Sequence, residues 1–394
     1  MKPPLSPRFT PSPQSGPPVA LGLMAVGILA IAVALTGCAD PALDGDAGPE
    51  FDAGPPDADP PDALPLTVGL STLAGRGEPG FEDGARNVAA FNDPVNVAVA
   101  PDNVLFVADF NNSAIRLVQE DGHVVTFTHQ PDFKRPFGIA FDRNGDLYVQ
   151  TDRNSHNDAD GSGDTGALWR VNMATGAATL LVDGIGRTRG IDVLANGQVV
   201  LSDYLRHVIK LYNPQTNTVT VLAGQADAPG YVDAKGAAAR FSTPYDIVVC
   251  KFDGVESIFV SDFENHRIRQ VKLDGTVTTF AGGAQSATVN GTLAQARFIN
   301  PQGLACPTTT DNTLYVSDPG AHVIRRIRAG MVETIAGDGM AGYVENTDPL
   351  QGRFYGLEGI DVTNDGNHLY IADGNLGEDD QPYHRLRRVE FEEQ

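Results

Sequence analysis

Residues 258–271 read IFVSDFENHRIRQV: an apolar, β-branched run ending at Asp262, a short polar turn, and a second run that alternates Ile with Arg. Runs of this length with a period of two predict a pair of strands joined by a turn. The phrase recurs. LFVADFNNSAIRLV (105–118), VVLSDYLRHVIKLY (199–212) and LYVSDPGAHVIRRI (314–327) are close copies, and LYVQTDRN…ALWRV (147–171) and LYIADGN…HRLRRV (369–389) are copies with a longer turn. Asp109, Asp152, Asp203, Asp262, Asp318 and Asp373 mark the six units, at intervals of 43, 51, 59, 56 and 55 residues.

A further strand precedes each phrase (94–99, 136–141, 189–193, 244–249, 301–305, 358–362), and another follows five of them, as in TVTVLAG and TVTTFAG. Four short strands per unit of 40–60 residues predict an all-β fold, a six-bladed β-propeller with four antiparallel strands per blade. The outer strand missing from the last unit is found at the N-terminal end, as VGLSTLAG (Val68–Gly75). The ring is therefore expected to close by pairing that strand with the last blade, which leaves no open sheet edge. An α-solenoid of similar period is excluded, because no helical periodicity runs through the units.

These units resemble the NHL-repeat family. The resemblance lies in Asn265-His266-Arg267-Ile268-Arg269, in Ala321-His322-Val323-Ile324-Arg325, and in the connectors AGRGEPGFEDGARNVAAFNDP (74–94) and AGQADAPGYVDAKGAAARFSTP (223–244). It covers about residues 66–394 and implies the propeller. It implies no single activity, since the family holds protein binders, RNA binders, sensor domains and a few enzymes.

The N-terminal residues are of another kind. Lys2 and Arg8 precede an apolar run of 17 residues, Val19–Leu35, and then Leu35-Thr36-Gly37-Cys38. A positive start, an apolar stretch and small residues at the end describe a secretory signal. The ending resembles a bacterial lipobox, which implies a lipoprotein signal over 1–38, lipidation of Cys38 and a membrane anchor through that lipid. Residues 39–65 are Asp, Pro, Ala and Gly with almost no large apolar side chain, and are expected to form a disordered tether. The expected location is the bacterial cell envelope, lipid-anchored at the outer membrane or on a periplasmic face.

The chain has 394 residues and a formal net charge of −22. The 42 acidic and 26 basic residues after Pro65 leave −16 on the repeats. That balance argues against nucleic acid as a partner, because a phosphate backbone is held by Lys and Arg.

A residue repeated in every blade is expected to serve structure. The six aspartates are read as turn acceptors. The row Arg116, Arg170, Lys210, Arg269, Arg325 and Arg387 is read as inter-blade braces. His207, His266 and His322 share one repeat position away from the axis. Phe91, Phe241, Phe298 and Phe354 are read as plugs between blades.

Function is expected where the repeat breaks. Two long acidic turns, 153–166 and 374–384, mark blades two and six. In the first, Asp158, Asp160 and Asp164 are candidate Ca²⁺ ligands, since flexible oxygen-rich loops suit that ion. Short connectors leave a lowered sector near blades two and three, edged by Lys134, Arg135, Arg187 and Arg189 and suited to an anionic ligand or partner. At the starts of the inner strands, Asn96, Asp246 and Glu358 are candidate polar groups at the ring axis. Cys250 and Cys306 end neighbouring inner strands and are a candidate disulfide.

The functional expectation is a binding scaffold that recognises a protein, peptide or glycan through one propeller face. The alternative is a propeller hydrolase or lyase with an axial divalent metal. No nucleophile elbow, zinc-protease motif or phosphate loop is present.

Overall fold

A computed structural model of the chain describes residues 68–153, 166–308, 312–374 and 383–391. Cys38, Asp158, Asp160 and Asp164, and the acidic part of the second long turn, lie outside these residues.

The described residues form six antiparallel sheets in a ring. Blade one comprises Pro94–Val99, Leu105–Asp109, Ala114–Val118 and Val124–Thr128, from the axis outward. Blades two, three and four repeat this order over Lys134–Asp183, Thr188–Ala223 and Pro244–Gly282. Blade five has a two-residue inner strand, Leu304–Ala305, and carries Gly291–Thr292 as a fifth strand outside its outer one. In blade six Gly69–Gly77 pairs with His384–Glu390, from Gly69 opposite Glu390 to Gly77 opposite His384. The first described strand thus closes the ring. Leu70, Leu73 and Ala74 on it are buried in the cores on either side.

The core consists of layers between blades, built from the alternating Val, Ile, Leu and Phe of the second and third strands. One polar device runs through them. Asp109 accepts from the Asn92 amide at 2.8 Å and from Arg116 at 2.7 Å. Arg116 also donates to the Ala90 and Glu82 carbonyls of the connector entering blade one. Its guanidinium lies 5.2 Å from the ring centroid of Phe91. Asp262–Arg269–Phe241, Asp318–Arg325–Phe298 and Asp373–Arg387–Phe354 repeat the arrangement. These four arginines are fully buried, and every long connector is tied to its blade by one. An ion pair so enclosed is tolerated because both terminal nitrogens of each guanidinium also donate to connector carbonyls, which leaves only Nε unpaired.

Blade two departs from the sequence reading. Pro136 pairs with Thr151 as Pro94 pairs with Asp109, so Thr151 holds the repeat position and Asp152 lies one residue beyond it. Val149 pairs with Trp169 as Val107 pairs with Arg116, so Trp169, and not Arg170, occupies the brace position. Trp169 donates to Thr151 Oγ1 at 2.8 Å and packs edge-on against Phe133. A neutral pair and an aromatic plug replace the ion pair, because the short connector of this blade offers no row of carbonyls for a guanidinium. Arg170 instead points outward to Asp146.

The histidines are also structural. His207, His266 and His322 adopt left-handed backbone at φ 59°, 55° and 51°. His207 Nδ1 accepts from the Thr243 amide at 3.0 Å and His266 Nδ1 from the Asn300 amide at 3.3 Å, each on the next blade. His384 does the same for Asp93 at 2.9 Å, closing the series across the last joint.

Candidate functional site at the axial mouth

The inner strands begin with a shared irregularity. In five blades the ladder to the second strand is shifted near its start, after the first or second pair: between Pro94 and Asn96, Pro136 and Ile139, Thr188 and Ile191, Pro244 and Ile247, and Leu357 and Ile360. A bulge of this kind re-aims side chains at a strand end. It turns one residue in each of these blades toward the mouth of the ring, Val95, Phe137, Arg189, Tyr245 and Glu358, and Gln302 holds the equivalent place in blade five. The residue that follows is glycine in four blades because the next inner strand is too close for a side chain. A Cβ on Gly190 would lie 2.4 Å from the Ile247 amide nitrogen, and one on Gly303 would lie 2.4 Å from the Glu358 carbonyl. Hydroxyls of the second strand stitch the bulge: Ser202 Oγ accepts from Gly190 N at 2.9 Å and donates to the Tyr245 carbonyl at 2.6 Å.

Asp152, displaced from the repeat position, enters this mouth. It accepts from Arg189 at 2.7 Å and pairs with Arg187 at 3.3 Å. Of the four basic residues that edge this sector, Arg187 and Arg189 thus share Asp152 as counter-ion. Burial opposes the charge on Arg189, but Asp152, Tyr245 and Tyr204 hold its pKa above the usual arginine value. The guanidinium of Arg189 sits over Phe137 at 4.1 Å and Tyr204 at 5.0 Å, and that of Arg135 over Phe110 at 4.2 Å. The rings continue one another: Phe110 to Phe137 at 5.8 Å, Phe137 to Tyr245 at 5.9 Å, and Tyr245 stacked on Phe263 at 5.7 Å. An aromatic arc thus spans blades one to four, with Tyr204, Tyr245 and Phe263 only half-buried.

The opposite side of the mouth is acidic and polar. Glu358 and Gln302 are each 7% exposed, and Glu358 Oε2 and Gln302 Oε1 have no hydrogen-bond partner. Burial and the neighbouring Asp93 push the Glu358 carboxyl well above the usual range, and Arg189 offsets part of that. Burial and Glu358 likewise raise the Tyr245 hydroxyl.

Asn96 and Asp246 do not join this group. Each follows the bulge and turns to the neighbouring inner strand. A Cβ on Gly359 would lie 2.1 Å from Asn96 Oδ1, and Asp246 Oδ2 accepts from Leu304 N at 2.8 Å. They form part of the wall of a separate cavity of about 480 Å³ on the far side of the ring residues. Its lining mixes aliphatic residues of the inner strands with polar and charged ones, Asp192 and Asp361 among them. Asp192 accepts from Val249 N at 2.5 Å and Asp361 from Val99 N at 2.7 Å, so each carboxylate clips its inner strand to the next blade. Burial pushes all three up to about 7. Cys250 and Cys306, on the same rim, are joined in a disulfide that links blades four and five. Among the described residues no three His, Cys, Asp or Glu side chains come together as a metal site.

The aromatic arc was not foreseen, although it is written in the repeat. The residue after the marking aspartate is Phe110, Tyr204 and Phe263 in blades one, three and four, against Pro319 and Gly374 in blades five and six. An aromatic at a turn apex, where core packing asks for none, was the available signal.

A ring of six blades, five of four strands and one with a fifth, closed by the first described strand, defines a β-propeller. With the Asp–Arg brace and its connector, the repeat makes the chain an NHL-repeat β-propeller. Its sequence is 24% identical over 324 residues to NHL repeat-containing protein 2 of Bos taurus, covering 75% of this chain and 40% of that protein. It is 26% identical over 324 residues to the Gallus gallus protein, covering 78% and 41%. The chain thus spans about two-fifths of the length of these relatives. No family model matches the sequence. Among solved structures, an auxiliary nutrient binding protein from Bacteroides thetaiotaomicron superimposes with a TM-score of 0.63 at 18% identity, covering 82% of this chain and 76% of that one. A protein of the same description from Bacteroides ovatus gives 0.63 at 19% identity, covering 83% and 78%. These two likenesses show the fold.

Proposed function

We propose that the protein is a lipid-anchored binding scaffold of the bacterial cell envelope, which recognises a protein, peptide or glycan at the axial mouth. The observation that carries this is the half-buried aromatic arc of Tyr204, Tyr245 and Phe263 beside buried polar groups without partners. Exposed aromatic faces with a few fixed polar groups are what recognition sites are made of. The description of two structural neighbours as nutrient binding proteins is in keeping with it.

Anchoring rests on the sequence. Residues 1–38 serve as a lipoprotein signal, Cys38 carries the acyl chains, 39–65 form the tether and 66–394 the propeller. Several acyl chains hold a protein durably, at about 0.8 kcal/mol per buried methylene. A Ca²⁺ ion held by Asp158, Asp160 and Asp164 belongs to the same proposal. The metal-dependent hydrolase or lyase is the weaker reading, since no described group of ligands supports it.

The test is a peptide and glycan array probed with the full chain in detergent, beside a Tyr204→Ala/Tyr245→Ala variant. At least one ligand class should be retained by the wild type and lost by the variant. In parallel, Cys38→Ser should release the protein from the membrane fraction. Array signals that ignore the mouth substitutions would remove the binding site, and a Cys38→Ser protein that stays membrane-bound would remove the anchor.

A further inference from the structure

The brace arginines each leave only a buried Nε unpaired, whereas at the mouth two acceptors on adjacent inner strands are left open together. Glu358 Oε2 and Gln302 Oε1 are buried acceptors with nothing donating to them. They stand on adjacent inner strands, whose contact is fixed by Ser317 Oγ donating to the Glu358 carbonyl at 2.7 Å and accepting from Gly303 N at 2.7 Å. A buried acceptor left unmade costs about 1–3 kcal/mol, and more for a charged group. The cation that acts on Glu358, Arg189, does not meet the need, because it is committed to Asp152 at 2.7 Å. The two unmade contacts on this side of the mouth are both at side-chain oxygens. Tyr245, Phe263 and Phe137 lie on the other side, and a ring face attracts positive charge.

We propose that the axial mouth is a site for an organic ammonium group, which donates to Glu358 Oε2 and Gln302 Oε1 while its carbon body lies on the Tyr245–Phe263 stack. This deepens the scaffold reading and rests on it. A cation supplies what both acceptors lack, whereas an anionic ligand would meet Glu358, Asp93 and Asp152 together. Binding carries a proton signature. The groups facing Glu358 are Asp93 on the connector to blade one, Arg189 with its partner Asp152, and Tyr245 with Tyr204 beyond it. Burial and Asp93 favour the protonated carboxyl in the free protein. An ammonium group favours the carboxylate, so its binding releases the proton, and affinity falls on the acid side by about tenfold per pH unit.

The experiment measures binding of benzylammonium, benzyl alcohol and benzoate, three probes with one ring and different charge, to the full chain by titration calorimetry. Benzylammonium should bind at least tenfold more tightly than the other two, and more weakly as pH is lowered. Glu358→Gln should remove that preference, and Gln302→Leu should reduce it severalfold should the first variant fail to fold. The pH series on the wild type needs no variant. Equal binding of the three probes, a preference that survives Glu358→Gln, or no pH dependence overturns the ammonium site. Benzyl alcohol or benzoate binding that disappears in Tyr245→Ala would leave the mouth as a recognition site while removing its preference for amines. Binding of none of the three overturns the ammonium site alone, since the array tests the scaffold separately.

Discussion

Asp152 lies 2.7 Å from Arg189, on the neighbouring blade, one residue past the position where five other blades keep a structural carboxylate. The single-residue displacement turns a turn-closing group into the counter-ion of the mouth. Both partners are buried and Arg187 shares the same carboxylate. Removing one member of a buried pair leaves an uncompensated charge, at a cost of about 3–5 kcal/mol. Asp152→Ala is therefore expected to lower the urea midpoint markedly, and Asp152→Ala/Arg189→Met to recover much of the loss. A double variant no more stable than the single one would show that the pair is not coupled.

The ring and its closure were legible in the sequence because they are repeated, and repetition exposes a period of two and a shared turn. The same repetition misled in blade two. Asp152 ends its apolar run much as the other five aspartates do, and only the pairing of Pro136 with Thr151 reveals the shift. Arg170 was misplaced for the same reason. Asn96, Asp246 and Glu358 could not be sorted by chain position, since the bulge at each inner strand sends consecutive residues to different compartments. Glu358 faces the mouth, while Asn96 and Asp246 turn to the neighbouring strand and the cavity. Cys250 and Cys306 were legible as neighbours because equivalent inner strands lie side by side, although their spacing left bonding open.

Closure makes the first strand a keystone. Leu70 and Leu73 are 1% and 2% exposed and pack into the cores on the two sides of blade six. Truncating a buried leucine costs about 2–5 kcal/mol. Leu73→Ala should show that loss in a single cooperative denaturation curve, and deletion of 66–75 should abolish the cooperative transition. A deletion that melts with the wild type would mean that the ring does not depend on this strand.

The disulfide joins blades four and five across 56 residues of sequence. Chain-entropy estimates for a loop of that size give about 4 kcal/mol, and measured bonds commonly contribute about 2–4 kcal/mol. Cys250→Ala/Cys306→Ala should unfold earlier in urea by that amount. Adding a reductant should destabilise the wild type and leave the double variant unmoved. Equal sensitivity of both proteins to reductant would show that the bond carries none of the stability.

Asp192, Asp246 and Asp361 give the fold a pH dependence of defined sign. Burial raises each to about 7, well above the ordinary aspartate value they regain on unfolding. Between about pH 4 and pH 7 the folded chain therefore holds more protons at these sites than the unfolded one. Their contribution to stability is greatest on the acid side of that window, declines as pH rises through it, and is level above it. The limiting slope is about 1.4 kcal/mol per pH unit for each proton. In Asp361→Asn the side-chain oxygen still accepts from Val99 N, and no proton is taken up. Urea midpoints measured from pH 4.5 to 8 should fall less steeply for this variant than for the wild type, and the two curves should run parallel above pH 8. A variant whose slope matches the wild type throughout the window would mean that Asp361 ionises normally in the cavity, and the same comparison with Asp192→Asn tests its neighbour independently.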